Sequence, residues 1–220
     1  MVSMVGKGTF AKVFLVYEPN TKKYYALKSM RKDVIIDKNS VDNINLERLI
    51  MLQVEHPFIV SMQYVFQRTY RVYFVMDFVH GGELFQYMRN LRHFQQEHVA
   101  FYTAQIALAL SYLHENNIMY RDLKPENILV AKDGYLKLSD FGLAKNAQFS
   151  NTFCGTPEYI SPEMLLGTGH DKTSDWWALG ILIYEMLTGI PPFYDKNRNV
   201  MFLAIERAKI RWPEQPRHGI

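Results

Sequence analysis

The sequence has 220 residues, of which 48% are hydrophobic and 21% are charged, a composition typical of a folded domain rather than a disordered chain. The net charge is only +3 and no block of like charges occurs, which argues against nucleic acid as the main partner. The single cysteine, Cys154, excludes an intrachain disulfide and a cysteine-based metal cluster. The sequence shows no signal peptide and no apolar stretch long enough to span a membrane, so we expect a soluble protein of the cytoplasm, with the nucleus as a second compartment.

The N-terminal third of the sequence predicts strands and a glycine-containing loop. Gly6 and Gly8 would let a loop approach phosphates with bare backbone N–H groups, although two glycines alone more often mark an ordinary turn. The apolar run 14–16 favours a strand after the loop, which argues against a Rossmann turn or a P-loop, where a helix follows. Residues 24–28 form a second predicted strand, which ends with Lys28.

A helix and two further strands complete this part of the chain. The helix is predicted over residues 39–54, and Glu47 lies near its apolar side. Such a glutamate either sits at the edge of that side or needs a cationic partner. Runs rich in Val, Phe and Tyr at 58–66 and 71–78 predict the two strands.

The sequence changes to helical periodicity after Gly82. Apolar spacing and helix-stop signals predict helices over residues 83–89, 95–115, 175–188 and 199–208. We therefore expect an α+β fold in two parts, with a strand-rich part at 1–78 and a mainly helical part at 79–220. The joint falls at residues 77–82, and a cleft between two such parts is a favoured place for a cofactor.

A predicted hairpin carries the most chemically suggestive residues. Asp133-Gly134, flanked by short apolar runs, indicates its turn. With these two residues as the turn, Lys132 pairs with Tyr135, and counting outward places Asn127 opposite Asp140. Neighbours across two strands lie within about 5 Å of each other, so amide and carboxylate oxygens that suit Mg²⁺ would converge. For this segment alone, an ordinary hairpin with exposed polar ends is the alternative.

The hairpin can be interpreted together with other motifs along the chain. They occur in the order Gly6-Lys7-Gly8, Lys28, Glu47, Tyr120-Arg121-Asp122-Leu123-Lys124-Pro125-Glu126-Asn127 and Asp140-Phe141-Gly142. In this order and spacing, the chain resembles the catalytic domain of eukaryotic protein kinases. Finer motifs, such as Phe153-Cys154-Gly155-Thr156-Pro157-Glu158-Tyr159, are similar to the AGC serine/threonine kinases, the group of cAMP-dependent protein kinase, protein kinase B and ribosomal S6 kinase.

The resemblance implies the bilobal protein kinase fold, with an antiparallel sheet and one helix in the N-terminal lobe, and it implies ATP with Mg²⁺. Lys28 would hold the α- and β-phosphates and pair with Glu47, and Met76 would be the gatekeeper residue before the hinge. The full set of positions that would bind the nucleotide is Val5, Gly6, Gly8, Phe10, Val13, Ala26, Lys28, Glu47, Met76, Asp77, Val79, Glu83, Leu129 and Asp140.

The same resemblance implies the catalytic residues. Asp122 would accept or orient the proton of the substrate hydroxyl, Lys124 would neutralise the γ-phosphate, and Thr156 would bridge the two. Asn127 and Asp140 would hold Mg²⁺.

Regulation and substrate choice are implied in the same way. Thr152 aligns with a threonine that an upstream kinase phosphorylates, and Arg121 and Lys145 would be the cationic partners of its phosphate. An ordinary loop hydroxyl is the alternative for Thr152. Three glutamates match positions that select arginine upstream of the acceptor residue, with plain surface glutamates as the alternative: Glu83, Glu126 and Glu185.

The expected activity is transfer of the γ-phosphate of ATP to serine or threonine of basic protein substrates. The alternatives are a pseudokinase-like scaffold and a catalytically inactive fragment. A scaffold usually lacks one of four central residues, and all four are present: Lys28, Asp122, Asn127 and Asp140. The fragment alternative arises because the resemblance leads us to expect the last helices of the domain beyond Ile220.

Overall fold

The N-terminal lobe is built on one antiparallel sheet. The computed structural model describes residues 2–8 and 11–213 of the chain. The strands of the sheet are β1 (Ser3–Lys7), β2 (Ala11–Glu18), β3 (Lys23–Arg31), β4 (Met62–Gln67) and β5 (Arg71–Asp77). Their order across the sheet is β1–β2–β3–β5–β4. The register places Val13 opposite Lys28 and Ala26 opposite Met76, so Ala26 and Lys28 lie on one face, as strand alternation requires.

Two helices pack on this sheet, and one of them was not predicted. The predicted helix is α2 (Val41–Gln53). The additional helix, α1 (Lys32–Asp37), contains three consecutive β-branched residues, which weakly disfavour a helix. Ile35 is buried against Met30 of β3 and Phe74 of β5. Burial of this side chain explains why packing overrides local propensity here.

The C-terminal lobe is mainly helical, as predicted. Its helices are α3 (Leu84–Leu91), α4 (Gln96–Glu115), α5 (Pro162–Leu166), α6 (Thr173–Thr188) and α7 (Arg198–Arg207). The short α5 was not predicted, and the other bounds agree with the predicted ones to within two residues. α6 is apolar on most sides because it packs inside the lobe against α4. In the described ranges, none of these helices has both the length and the apolar character needed to cross a bilayer.

The segment predicted as one strand over 58–66 is divided between the two lobes. Only its second half belongs to β4, so the prediction was wrong for residues 58–61. Phe58 and Val60 instead exchange backbone hydrogen bonds with Leu138 of the C-terminal lobe, at 2.8 and 2.9 Å. A short apolar run does not reveal which lobe provides its pairing partner.

The predicted hairpin exists, but its register is shifted by one residue. Its strands are β7 (Ile128–Val130) and β8 (Leu136–Leu138), and a second small pair joins β6 (Ile118–Met119) to β9 (Lys145–Asn146). The loop has three residues, 132–134, because Gly134 adopts a left-handed φ of 86° and Ala131 pairs with Tyr135. Asn127 consequently pairs with Ser139, not with Asp140.

Candidate active site

A cleft of about 480 Å³ lies between the sheet and the helical lobe. It contains twelve of the fourteen positions expected to bind a nucleotide, namely Val5, Gly6, Val13, Ala26, Lys28, Glu47, Met76, Asp77, Val79, Glu83, Leu129 and Asp140. Gly8 does not line the cleft; its N–H donates to the Ala11 carbonyl at 2.8 Å in the turn between β1 and β2. Phe10 lies outside the described residues.

The cleft also contains residues that the sequence did not single out. Val60 reaches it because its backbone N–H is held by Leu138, a lobe-to-lobe pairing for which the sequence carries no signal. Ser139 lies there too, with its hydroxyl donating to the Asn127 carbonyl at 3.0 Å. Its position directly before Asp140 was the only available clue.

A cation lies between two carboxylates at the back of the cleft. Lys28 Nζ is 2.5 Å from Glu47 Oε1 and 3.3 Å from Asp140 Oδ1. Burial lowers the pKa of Lys28, but the two carboxylates outweigh burial and hold that pKa above its usual value. Lys28 in turn lowers the pKa of Asp140. The Glu47 side chain is only 1% exposed, so the second of the two interpretations, a glutamate that needs a cation, is the correct one.

Three side chains meet near the start of residues 120–127, which we call the catalytic segment. Lys124 Nζ donates to both Asp122 carboxylate oxygens, at 2.9 and 3.1 Å, and to the Thr156 hydroxyl at 3.1 Å. The Thr156 hydroxyl lies 3.3 Å from Asp122 Oδ1 and donates to it. The triangle brings a potential proton acceptor and a cation to one point, and the threonine fixes their separation.

The backbone of the catalytic segment is anchored from beneath. The carboxylate of Asp175 on α6 accepts the N–H groups of Tyr120 at 2.9 Å and of Arg121 at 2.7 Å. Arg121 has a left-handed φ of 66°, a conformation that costs energy for a residue with a side chain. The two hydrogen bonds to a buried carboxylate hold this conformation and so fix the backbone before Asp122, whose carboxylate accepts a hydrogen bond from Asn127 of the cleft.

The donor set of the cleft fits a magnesium ion. The Asn127 side-chain N–H₂ group donates to the backbone carbonyl and the carboxylate of Asp122, both at 2.8 Å. Its amide oxygen therefore remains free to act as a ligand atom, and the Asp140 side chain lines the same cleft. Within residues 2–8 and 11–213, no group of three or more His, Cys, Asp or Glu side chains forms a metal cluster. Two oxygen ligands suit an ion that is completed by substrate phosphates and water.

The predicted cationic partners of Thr152 come together, but at a different residue. Arg121 and Lys145 both donate to the hydroxyl of Ser150, whereas the Thr152 side chain is exposed. The sequence gave no reason to single out Ser150, since a serine in a polar loop is usually an ordinary surface residue.

The three predicted substrate-selecting glutamates belong to one acidic patch. Burial raises the pKa of Glu83, and the charge of Glu126 raises it further. Burial also raises the pKa of Glu185, to about 7, although a hydrogen bond donated by the Tyr159 hydroxyl opposes the rise. The charge of Glu126 raises the pKa of both carboxyls, and Glu126 itself lines the cleft.

The chain matches a known protein family over nearly its whole length. The family described as the protein kinase domain matches residues 1–217. Curated relatives include the serine/threonine-protein kinases gad8 of Schizosaccharomyces pombe, 47% identical over 97% of this chain and 38% of the relative, and sgk-1 of Caenorhabditis elegans, 46% identical over 100% and 48%. AtPK1/AtPK6 of Arabidopsis thaliana is 48% identical over 97% of this chain and 46% of its own length.

The chain therefore belongs to the protein kinase family, among the AGC-type serine/threonine kinases. This confirms the predicted family and its bilobal fold. The chain spans less than half the length of these relatives.

Proposed function

We propose that this chain transfers the γ-phosphoryl group of ATP to serine or threonine hydroxyls of protein substrates. The observation that carries the proposal is the triangle of Asp122, Lys124 and Thr156, which a hydrogen bond from Asn127 joins to the cleft that contains Lys28, Glu47 and Asp140. A protein that uses the kinase fold only as a scaffold has no need of a buried ion pair and a carboxylate–ammonium contact pointed at one cleft.

The nucleotide would occupy the cleft with its base toward the joint between the lobes. Val13, Ala26 and Leu129 supply apolar surface from both lobes for the adenine ring. Hinge residues 77–79 offer backbone groups for its polar edge. Lys28, kept cationic by its two carboxylates, would hold the phosphates, and Glu47 fixes the direction of its side chain.

The acceptor hydroxyl would be oriented by Asp122. The oxygen of the acceptor hydroxyl attacks the γ-phosphorus. The bond from that phosphorus to the bridging oxygen breaks, and ADP leaves with the bond electrons. The hydroxyl proton passes toward Asp122 as the new bond forms. Lys124 compensates the negative charge of the transferring group, and Thr156 keeps Lys124 and Asp122 in contact. The chain thus contributes positioning and electrostatic stabilisation.

Asn127 and Asp140 would hold Mg²⁺ through their side-chain oxygens. The ion held there would supply positive charge that offsets the negative charge of the phosphates during transfer.

The acidic patch supports a preference for substrates with arginine upstream of the acceptor. Burial raises the pKa values of Glu83 and Glu185, the charge of Glu126 adds to both rises, and a guanidinium would compensate this negative charge. Phosphorylation of Thr152 by an upstream kinase is a further part of the proposal, supported by the exposure of Thr152 and by the contacts of Arg121 and Lys145 with the Ser150 hydroxyl, which also accepts the Thr152 N–H. A location in the cytoplasm or nucleus stays a prediction from the sequence.

The proposal is tested by transfer of labelled phosphate from Mg-ATP to an arginine-containing serine peptide. Wild type should transfer phosphate, and Asp122→Asn should lose almost all activity while retaining nucleotide-dependent thermal stabilisation. Asp133→Asn, the same substitution in an exposed turn, is the matched control and should behave as wild type. Equal transfer by Asp122→Asn and wild type would contradict the proposal.

A further inference from the structure

A second cleft, of about 430 Å³, lies on the outer side of the hinge. Among the residues that the structure describes, it shares with the cleft proposed for the nucleotide only the hinge residues 77–80, so the hinge separates the two. Tyr25 of β3 lines this second cleft, whereas its neighbour Ala26 lines the first, because successive side chains of a strand point to opposite faces. We call the second cleft the outer cleft.

The outer cleft is positively charged. Its lining includes four lysines, two where β3 begins and two in the β7–β8 hairpin: Lys22, Lys23, Lys132 and Lys137. In the described part of the chain, no carboxylate lies within 4 Å of any of these ammonium groups. The one carboxylate among the described lining residues, Asp77, accepts a hydrogen bond from Gln63 at 2.9 Å. An unbalanced charge of this kind attracts an anionic partner.

The carboxylates closest to these lysines in the sequence are engaged in their own turns. Glu18 accepts a hydrogen bond from a hydroxyl at 2.6 Å, and Asp133 accepts one from a backbone N–H at 3.3 Å. Lys137 Nζ donates to the Pro57 carbonyl at 2.7 Å. Since an ammonium has three N–H donors, this bond fixes the position of the Lys137 charge and leaves donors for a ligand.

Exposed aromatic and aliphatic side chains adjoin the outer cleft. Tyr135 lies two residues before Lys137, on the same face of the hairpin. Its ring packs against those of Phe58 and Phe101, with ring centroids 6.1 and 5.5 Å away. Tyr135 and Phe101 are each 46% exposed, and Leu108, two turns of α4 beyond Phe101, is 56% exposed. Positive charge and apolar surface thus lie side by side, and we call them together the docking surface.

The chemistry of the docking surface favours a peptide over a phosphate compound or a nucleic acid. Among the described residues, no arginine lines the outer cleft, although arginine is the side chain that binds phosphate through two parallel hydrogen bonds. The net charge of the chain is only +3, which is small for a nucleic-acid site. An extended peptide can instead place carboxylates on the lysines and, a few residues further, apolar side chains on Tyr135 and Phe101.

We propose that the docking surface binds a segment of a partner protein in which several carboxylates stand next to large apolar side chains. The carboxylates pair with the lysines of the outer cleft, and the apolar side chains pack on Tyr135, Phe101 and Leu108. Because the lysines come from both lobes, the bound segment bridges the lobes on the outer side of the hinge and leaves the cleft proposed for the nucleotide open. Binding of this segment does not depend on phosphate transfer.

The first test measures binding of fluorescently labelled peptides by anisotropy. Two peptides contain a leucine and two phenylalanines, and a run of glutamates either precedes or follows them, so that both chain directions are covered. At least one should bind wild type saturably, and more weakly as sodium chloride is raised, because salt screens exposed charge pairs. The same peptide should bind roughly tenfold more weakly with glutamine for glutamate, and roughly fivefold more weakly with serine for its apolar residues.

Charge reversal on both sides of the outer cleft tests the lysines. Lys22→Glu/Lys132→Glu should weaken binding of the peptide roughly tenfold. Lys196→Glu/Lys209→Glu is the matched control, because it changes the net charge equally at exposed lysines in the α6–α7 loop and after α7; it should bind the peptide as wild type does. All four positions are exposed, so both double variants should fold, which thermal unfolding verifies.

Truncation of one ring tests the aromatic part of the docking surface. Phe101→Ala should weaken binding of the peptide roughly fivefold. Tyr70→Ala, at an exposed aromatic residue in the β4–β5 turn, is the matched control and should bind the peptide as wild type does.

The inference is overturned if neither peptide binds, if Lys22→Glu/Lys132→Glu or Phe101→Ala binds as tightly as wild type, or if the charge control loses as much affinity, since net charge alone would then explain binding. Displacement of the peptide by adenosine, an uncharged probe of the cleft proposed for the nucleotide, would place the peptide there and also overturn it. Tighter binding of a single-stranded oligonucleotide than of either peptide would identify a nucleic-acid surface, contrary to the proposal. None of these measurements uses phosphate transfer, so an inactive wild type that binds the peptide would contradict only the proposed function.

Discussion

Lys28 Nζ lies 2.5 Å from Oε1 of Glu47, and this contact joins the sheet to α2 at the back of the cleft. The lysine side chain is 14% exposed and the glutamate 1%. Burial raises the pKa of Glu47, and Lys28 opposes that rise. The ion pair therefore offsets the free-energy cost of burying the Glu47 carboxylate. It also directs the Lys28 ammonium toward the position proposed for the phosphates.

Replacing Lys28 by methionine should destabilise the fold in a pH-dependent way. Without the ammonium, Glu47 is a buried carboxyl whose folded pKa lies further above the unfolded value of about 4.3. The stability that the protonated Glu47 carboxyl contributes to the folded state is fully present below the unfolded pKa. It is lost as the pH rises through the folded pKa. We expect the free energy of unfolding to drop by roughly 3–5 kcal/mol near neutral pH, and by less at pH 5. Urea unfolding at several pH values measures this.

The double variant Lys28→Met/Glu47→Gln separates this effect from lost packing. It should regain much of the stability of Lys28→Met at neutral pH and lose the extra pH dependence. Lys23→Met, at an exposed position of the same strand, should leave the pH profile as in wild type. A pH-independent loss in Lys28→Met would contradict the role assigned to Glu47.

Replacing Thr156 by alanine should reduce the rate of phosphate transfer without unfolding the chain. The hydroxyl contacts both Lys124 and Asp122, and a hydrogen bond to a charged group contributes about 1.5–3 kcal/mol. We expect kcat to fall roughly 10- to 100-fold with little change in the KM for ATP. Thr156→Ser, which keeps the hydroxyl, is the control. A change confined to the KM for ATP would place Thr156 in nucleotide binding instead.

Two glycine-to-alanine substitutions should change stability in opposite directions. A Cβ at Gly81 would lie 2.4 Å from the Val130 carbonyl oxygen, which accepts the Gly81 N–H across the hinge. We expect Gly81→Ala to destabilise the chain by about 1–3 kcal/mol. A Cβ at Gly180, inside α6, meets no atom within 4 Å, so Gly180→Ala should stabilise it by about 0.5–1 kcal/mol. Chemical unfolding measures the change in the free energy of unfolding for both variants. A stabilising Gly81→Ala would mean that the backbone at Gly81 can shift at little cost.

The residues proposed for catalysis could be recognised from the sequence because their order and spacing are distinctive. The resemblance to protein kinases implied that Lys28 pairs with Glu47, and in the structure the two are paired. The α2 helix was also predicted, with bounds within two residues of the observed ones. In each of these cases the information lies in a local pattern or in a motif order.

Other features could not be predicted because they depend on tertiary contacts or on one backbone angle. The left-handed φ of Gly134 lengthens the hairpin loop by one residue and moves the partner of Asn127 from Asp140 to Ser139. The α1 helix forms because Ile35 has a buried site to fill. Ser150 lies 29 residues from Arg121 along the chain, and the two side chains meet only because the loop that contains Ser150 folds back.

Glu185 should make the choice of substrate depend on pH near neutrality. Its pKa is raised to about 7 by burial, with Glu126 and Glu158 adding to the rise, so the carboxyl is mostly neutral at pH 6 and mostly ionised at pH 8. Because only the ionised form pairs with arginine, the KM of an arginine-containing peptide should fall over this range relative to that of a peptide with norleucine in its place. The ratio of the KM values of the two peptides cancels the pH dependence of the catalytic step.

Two variants test whether Glu185 causes this pH dependence. Tyr159→Phe removes a hydrogen bond that lowers the Glu185 pKa, so it should move the transition to higher pH, whereas Glu185→Gln should abolish it. A ratio that is flat between pH 6 and 8 in wild type would exclude Glu185 as the group that recognises arginine.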